Sequence, residues 1–131
     1  MKNKKIFVDL SATLIHHGHI RLLKKASRYG KIIVGLSTDQ EVKKHKGYYP
    51  ELNFNQRKEI LSSIKYISKI IPSKWKITDS FLKKNKIDII IRGSDHKKDK
   101  FNIKTIIYPR TLGISSDLIR FKASRIFLKK R

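Results

Sequence analysis

The feature that most narrows what this chain can fold into is a series of short, continuous apolar runs. They are Ile6-Phe7-Val8, Ile32-Ile33-Val34-Gly35-Leu36, and residues 67–72, 87–92 and 103–108. Runs without polar alternation mark strands buried on both faces, and helical stretches between them predict a repeated βα unit. Between the first two runs, Ile20, Leu22, Leu23, Ala26 and Tyr29 recur near helical spacing, with Gly30 placed to end the helix. Ser37-Thr38-Asp39 supplies a strand end and a helix cap. Residues 43–53, polar and carrying Gly47 and Pro50, predict an active-site loop rather than a long helix. Asn55 is expected to cap a helix bearing Ile60, Leu61 and Ile64, and Pro72 to stop the following strand. Thr78 or Asp79 caps the next helix, to about Asn85, and Ser115-Ser116-Asp117 opens the last. The expected fold is therefore α/β: a mostly parallel sheet with helices on both faces, a Rossmann-like three-layer sandwich.

With 131 residues, no internal repeat and no linker, the chain reads as a single domain over 1–131. It has no cysteine, which excludes a disulfide scaffold or a cysteine zinc site and suits a reducing compartment. The N-terminal apolar stretch spans only residues 6–10 and is interrupted by Asp9, unlike a signal peptide. No run approaches the ~18 apolar residues of a membrane span. A soluble, cytoplasmic protein is expected. The 32 Lys+Arg against 10 Asp+Glu give a formal charge of +22, which attracts polyanions such as nucleotides, nucleic acids or anionic lipids. The bases are scattered along the whole chain, so they read as a solvated basic surface rather than a dedicated nucleic-acid face.

In a parallel α/β sheet the ligand lies beyond the carboxyl ends of the strands. After the first run comes Ser11-Ala12-Thr13-Leu14-Ile15-His16-His17-Gly18-His19, where a glycine permits close backbone approach as a helix begins. A helix N-terminus offers unpaired N–H groups and partial positive charge, which suit a phosphate. His16 and His19 can both donate to one phosphoryl group across that turn. The alternatives are a metal site or histidines that cap the turn; no carboxylate adjoins them, and a zinc-protease spacing is absent. His17, His45 and His96 read as solvated loop residues, and Trp75 as a partly buried anchor rather than a stacking platform.

His16-His17-Gly18-His19 after a strand resembles the HxGH signature of the cytidylyltransferase superfamily. Further on, Lys44-His45-Lys46-Gly47 looks like that family's lysine-bearing loop, Gln56-Arg57-Lys58-Glu59-Ile60-Leu61 like its Arg-led helix, and Arg92-Gly93-Ser94-Asp95 like its G-x-D strand end. Arg110-Thr111-Leu112-Gly113-Ile114-Ser115-Ser116 matches its RTxGIS[ST] motif. These pieces run in family order over residues 6–120. The nearest likeness is to compact enzymes acting on glycerol 3-phosphate and to domains activating phosphocholine, phosphoethanolamine or aminoethylphosphonate; Ser11-Ala12-Thr13-Leu14-Ile15-His16 is similar to the SADLIH of the phosphonate-associated members. The resemblance implies CTP and a phosphate or phosphonate monoester as substrates, a CDP-linked product and pyrophosphate, Mg²⁺ carried by the triphosphate, and a homodimer.

Carried over residue by residue, the resemblance makes His16, His19, Lys46 and Arg110 the catalytic set. It places Ser11, Ala12, Gly18, Lys44, Gly93, Asp95, Thr111, Ile114, Ser115 and Ser116 at the nucleotide, and Arg57 and Lys65 as candidate phosphate contacts. Such a transfer relies on positioning and charge neutralisation more than on covalent chemistry. His16 and His19 would stabilise charge on the α-phosphate and the departing pyrophosphate, Lys44 and Lys46 would bring in the acceptor phosphate, and Arg110 offers a planar fork. Ser115 and Ser116, at another helix start, would meet the β- and γ-phosphates, with Asp95 on the nucleoside side. Three positions depart from the pattern. Thr13 replaces the aspartate of the FDxxHxGH form, Lys65 replaces an arginine and loses its bidentate fork, and His96 stands where relatives carry tryptophan. An adenylyltransferase of the ADP-heptose or FAD type is the alternative on the same fold. A non-catalytic binder of RNA or anionic membrane is the alternative of another class.

Overall fold

The computed structural model describes residues 3–96 and 98–130. Five strands form one sheet: β1 (Lys5–Leu10), β2 (Lys31–Ser37), β3 (Ile67–Ser73), β4 (Ile89–Gly93) and β5 (Lys104–Tyr108). All pairings are parallel and the spatial order is β3-β2-β1-β4-β5. The helices are α1 (His17–Ala26), α2 (Asp39–Lys46), α3 (Phe54–Ser62), α4 (Asp79–Lys84) and α5 (Ser116–Lys129), with a short 3₁₀ turn over Ser94–His96.

Period-two alternation within the apolar runs divides the core into two layers. Ile6, Val8, Ile32, Val34, Leu36, Ile89 and Ile91 face one side, where Leu23 and Ala26 of α1 and Leu61 of α3 cover them. Phe7, Ile33 and Ile90 face the other, packed with Ile77 and Leu82, and Phe81 meets Phe7 edge-on at 5.4 Å. Helices on both faces of a parallel sheet confirm the expected α/β architecture.

The strand order reverses at β1, whose neighbours are β2 and β4. β1 pairs with β2 through six residues, Lys5 to Leu10, but with β4 through only Ile6 and Phe7. Beyond Phe7 the β1–β4 ladder stops, and a crevice opens where ligands bind in doubly wound sheets.

Several local expectations are corrected. Helix α1 ends at Ala26 with Ser27 as its cap, ahead of Gly30. Gly30 serves a different purpose: a Cβ there would sit 2.2 Å from the Lys4 carbonyl oxygen. Residues 43–46 are the second half of α2 rather than loop; Thr38 caps that helix through Glu41 N–H and Gly47 closes it in the left-handed conformation. Asn53, not Asn55, caps α3, in a reciprocal capping box with Gln56. Pro72 lies inside β3 instead of stopping it, which the position of β3 at the sheet edge permits. Thr78 is the cap of α4 and Ser115 that of α5. The tail does form a helix, α5; Arg131 lies outside the described residues.

Arg57 is the largest fully buried side chain, at 0% exposure. Its Nη2 pairs with Asp39 Oδ1 at 2.7 Å, its Nη1 donates to the Ser11 carbonyl at 2.7 Å, and its Nε donates to the Leu52 carbonyl at 3.0 Å. One planar cation thus joins the turn after β1, the start of α2 and the entry to α3. Arg57→Met is expected to destabilise the fold by ~3 kcal/mol because it strips these bonds from a buried site. Arg57→Lys should recover little, since an ammonium cannot span three fixed acceptors. The urea unfolding midpoint reads both.

Candidate active site

The crevice at the carboxyl ends of β1 and β4 is a cleft of about 220 Å³ bounded by the N-termini of α1 and α5, the end of α2 and the loop after β5. Its floor is set by a buried ion pair. Arg92 on β4, 2% exposed, donates from Nε and Nη2 to both carboxylate oxygens of Asp9 on β1, at 3.1 and 2.7 Å, and from Nη1 to Asp99 at 2.7 Å. Burial disfavours its charge, but Asp9 and Asp99 outweigh that and raise its pKa above the ordinary arginine value.

The histidine turn is built by reciprocal capping. His16 is the N-cap of α1, with extended backbone, and its Nδ1 accepts from Gly18 N–H at 3.0 Å. His19 Nδ1 in turn accepts from His16 N–H at 3.1 Å. Two imidazoles thereby do what Ser and Glu do in an ordinary capping box. The rings lie 4.0 Å apart, tilted by 36°. A Cβ at position 18 would sit 2.8 Å from His16 Cε1, so only glycine lets the ring fold over the helix start. Burial is the largest influence on both rings, followed by neighbouring histidines and Arg110; it lowers the His16 pKa and drives that of His19 down to about 3. Both rings are therefore neutral at pH 7. With each Nδ1 accepting, the proton resides on Nε2, and the turn presents two uncharged donors to an acceptor in the cleft.

At the opposite wall, Ser115 Oγ caps α5 by accepting from Leu118 N–H at 3.0 Å. Ser116 Oγ accepts from Leu14 N–H at 3.2 Å and donates to the Leu14 carbonyl at 2.9 Å. Ser116 Oγ thereby staples the histidine turn to α5 while the residue lines the cleft. The two helix starts add backbone N–H groups suited to an anion. Arg110 Nη1 pairs with Asp95 Oδ2 at 2.8 Å across the mouth; both side chains are more than half exposed.

Of the residues singled out in the sequence, Ser11, His16, Gly18, His19, Lys46, Gly93, Asp95, Arg110, Thr111, Ile114, Ser115 and Ser116 all line this one cleft. Four do not. Ala12 turns the chain with φ of 45° and buries its methyl in the core. Lys44 is exposed on α2, two residues from Lys46 and hence roughly 200° around the helix. Arg57 is engaged inside the fold rather than at a surface, and lines no part of the cleft. Lys65 precedes β3, at the amino end of the sheet and away from the crevice, with its Nζ 5.4 Å from the Tyr66 ring.

The cleft also contains residues that the motifs did not reveal. Arg21 and Lys25 extend the stripe that Gly18 begins on α1, a signal present in their helical spacing. Lys74 and Trp75 reach it from the end of β3. Trp75 is partly buried as expected, but it is also a stacking platform: the His45 ring lies on it at 5.0 Å and 12°, and the Trp75 backbone N–H donates to Glu41 Oε1 at 2.7 Å. His45 thus sits on α2 rather than in a loop, and His96 also lines the cleft. His17, the first residue of α1, is exposed.

The loop that follows α2 is fastened by Arg120. Its guanidinium pairs with Glu51 through Nε and, at 2.7 Å, through Nη2, and with Asp117 at 2.6 Å; it donates to Tyr48 Oη at 3.1 Å and to Thr13 Oγ1 at 3.3 Å. The Arg120 bond lowers the Glu51 pKa. Thr13 is fully buried and is a neutral acceptor for this arginine.

Comparison with known proteins agrees with this geometry. Residues 12–118 match the family described as cytidylyltransferase-like. Glycerol-3-phosphate cytidylyltransferase of Staphylococcus aureus is 35% identical over 127 residues, covering 89% of this chain and 92% of that protein. The enzyme of the same name from Bacillus spizizenii is 36% identical over 125 residues, covering 89% and 95%. FAD synthase of Pyrococcus abyssi is 33% identical over 122 residues, covering 90% and 81%. In fold alone, the chain is similar to the crystal structure of a lipopolysaccharide core biosynthesis protein from Thermoplasma volcanium. The TM-score is 0.71 at 21% identity, over 82% of this chain and 98% of that one. With a two-histidine turn at a sheet crevice and a family match over most of its length, the chain belongs to the cytidylyltransferase-like family of nucleotidyltransferases.

Proposed function

We propose that this protein transfers CMP from CTP to a small phosphate or phosphonate monoester. An acceptor oxygen attacks the α-phosphorus, the bond to the α–β bridging oxygen breaks, and pyrophosphate leaves with the electron pair. The observation that carries the reading is the capping box at the α1 start, which engages both Nδ1 atoms as acceptors and so leaves the Nε2 atoms of His16 and His19 to donate to a ligand. Neutral donors pointed at charge that grows on the α-phosphate need no reorganisation during the step. Lys46 supplies the charge that lets one anion approach another, and Arg110 is placed to leave Asp95 for phosphate oxygens. The helix starts of α1 and α5 add backbone donors along the triphosphate.

Mg²⁺ is part of the proposal as a counter-ion to the triphosphate. Among the described residues no three His, Cys, Asp or Glu side chains group as a metal cage, and Asp9 is engaged by Arg92, so the donor set suits an ion that arrives on the nucleotide. Bound there it would supply charge neutralisation along the triphosphate. A homodimer in the cytoplasm is likewise proposed, its mass to be read by sedimentation. No helix among the described residues is long and apolar enough to cross a membrane. A second reading, adenylyl transfer, draws on the relatives named FAD synthase.

Three outcomes are expected. First, CTP with Mg²⁺ should raise the melting temperature more than ATP or GTP, because binding to the folded state stabilises it by mass action; a larger shift with ATP would favour the adenylyl reading. Second, His16→Ala and His19→Ala should each lower kcat for pyrophosphate release by ~10²–10³-fold with CTP-induced stabilisation retained, whereas exposed His17→Ala should be mild. Equal damage at all three positions, or full turnover in each, would overturn the assignment. Third, His19 has a folded pKa near 3 and an unfolded value near 6.5, so below pH 6.5 the unfolded chain binds a proton that the native state refuses. Its contribution to stability is flat above pH 6.5 and falls as pH drops from there toward 3, with a limiting slope of ~1.4 kcal/mol per pH unit. Urea midpoints between pH 7.5 and 5 should therefore decline less steeply in His19→Asn than in wild type.

A further inference from the structure

Between the end of β3 at Ser73 and the start of α4 at Asp79 the chain has neither helix nor strand. Lys74 and Trp75, at the head of that stretch, nevertheless line the cleft. An irregular segment holds a side chain in one orientation only where its neighbours fix it, because the two torsions of an indole otherwise turn among several staggered positions.

The neighbour here is α2. Glu41 Oε1 accepts from the Trp75 backbone N–H at 2.7 Å. One turn further along the helix, the His45 ring lies flat on the indole, with 5.0 Å between centroids and 12° between planes. Glu41 and His45 are four residues apart and therefore share one face of α2. His45 Nε2 lies 3.7 Å from the same Glu41 Oε1. One helix face thus grips residue 75 twice, by its backbone and by its ring.

Neither Glu41 nor His45 lines the cleft, so whatever they contribute there passes through Trp75. The residue that follows His45 is Lys46, the last of α2, and it does line the cleft. The final turn of α2 therefore brings one lining side chain to the site directly and sets the orientation of another by stacking. Sequence alone hides this pairing, since residues 45 and 75 belong to separate elements and meet only in the fold.

We propose that His45 is a positioning residue of this enzyme: its imidazole fixes the Trp75 indole in the cleft wall, and acceptor binding depends on that ring. The link to the acceptor rests on the role proposed above for Lys46, whereas the clamp on the indole does not. An orientation needed equally in the ground state and the transition state is felt in KM and not in kcat.

Trp75 is the only tryptophan of the chain, so its emission reports on this contact without turnover. The His45 side chain is 34% exposed, which lets it be replaced without opening the core. The test is acrylamide quenching of the full chain, together with pyrophosphate release from CTP and glycerol 3-phosphate. His45→Gln keeps a polar, helix-compatible side chain but removes the ring. It should raise the quenching constant roughly twofold, since one of the two indole faces is uncovered. The same variant should raise KM for glycerol 3-phosphate about fivefold, the size of effect that one aromatic contact carries, with kcat and KM for CTP unchanged. His45→Phe restores a ring and should return quenching and KM to the wild-type values. Equal quenching in wild type and His45→Gln would overturn the clamp, and so would a KM effect that phenylalanine fails to rescue. A fall in kcat at constant KM would place His45 in the chemistry and overturn the positioning role. The quenching contrast decides the clamp whether or not this acceptor turns over, so its failure and that of the transfer reading are told apart.

Discussion

The cleft depends on the contact between Asp9 and Arg92. β1 and β4 share only two ladder positions, after which the backbones part, and it is this parting that makes room for a ligand at the point where the strand order reverses. Two diverging strand ends at the centre of a sheet would be a weak seam. The bidentate ion pair closes it just beyond the last ladder residue, with both carboxylate oxygens engaged and the guanidinium buried. Its position explains why the strands can separate without losing register. Removing one partner would leave a charge stranded in the sheet floor, which is far costlier than never having had the pair.

Against that floor, the site divides its labour between neutral and charged groups. A chain with a formal charge of +22 has no shortage of cations, yet the two side chains nearest the α1 helix start are held uncharged by burial and by each other. Protonated rings at that position would compete with the backbone N–H groups that each Nδ1 now accepts from, and the capping box would come apart. Neutrality and geometry are thus one requirement. Positive charge in the cleft instead sits on Arg21, Lys25, Lys46, Lys74 and Arg110, none of which caps a helix start.

The apolar runs carried the sheet, its two-sided burial and the place of the crevice, because strand burial is written in local composition. The histidine turn was legible for the same reason: glycine and two imidazoles at a helix start leave few arrangements. Other residues were not legible, since their roles depend on direction rather than identity. Lys44 and Lys46 are chemically alike, but helical pitch sends one to the cleft and the other to solvent. Lys65 sits in a recognisable stretch at the wrong end of a strand. Arg57, charged and on a helix, reads as a surface residue by every local rule, and only the meeting of three separate backbone segments makes it a core residue. Residues 43–46 look like loop because their lysines mask a helix that Val42 anchors and Thr38 starts.

The Arg120 cluster bears on how substrates would enter. Tyr48 and Glu51, in the segment after Lys46, are tied to α5 and to Thr13 by a single guanidinium that stacks over the Tyr48 ring at 4.7 Å. Because Glu51 is held more acidic than usual, mild acidity does not release the tie. The segment after α2 is therefore preorganised beside the cleft rather than a swinging lid. Such a site gives up the selectivity that closure around a substrate can supply, and avoids the ordering entropy that closure costs. None of Thr13, Tyr48, Glu51 and Arg120 lines the cleft, so the tie reaches the site only through its neighbours Lys46 and Asp117, and a change at Arg120 would be felt there as a shift of two lining residues at once.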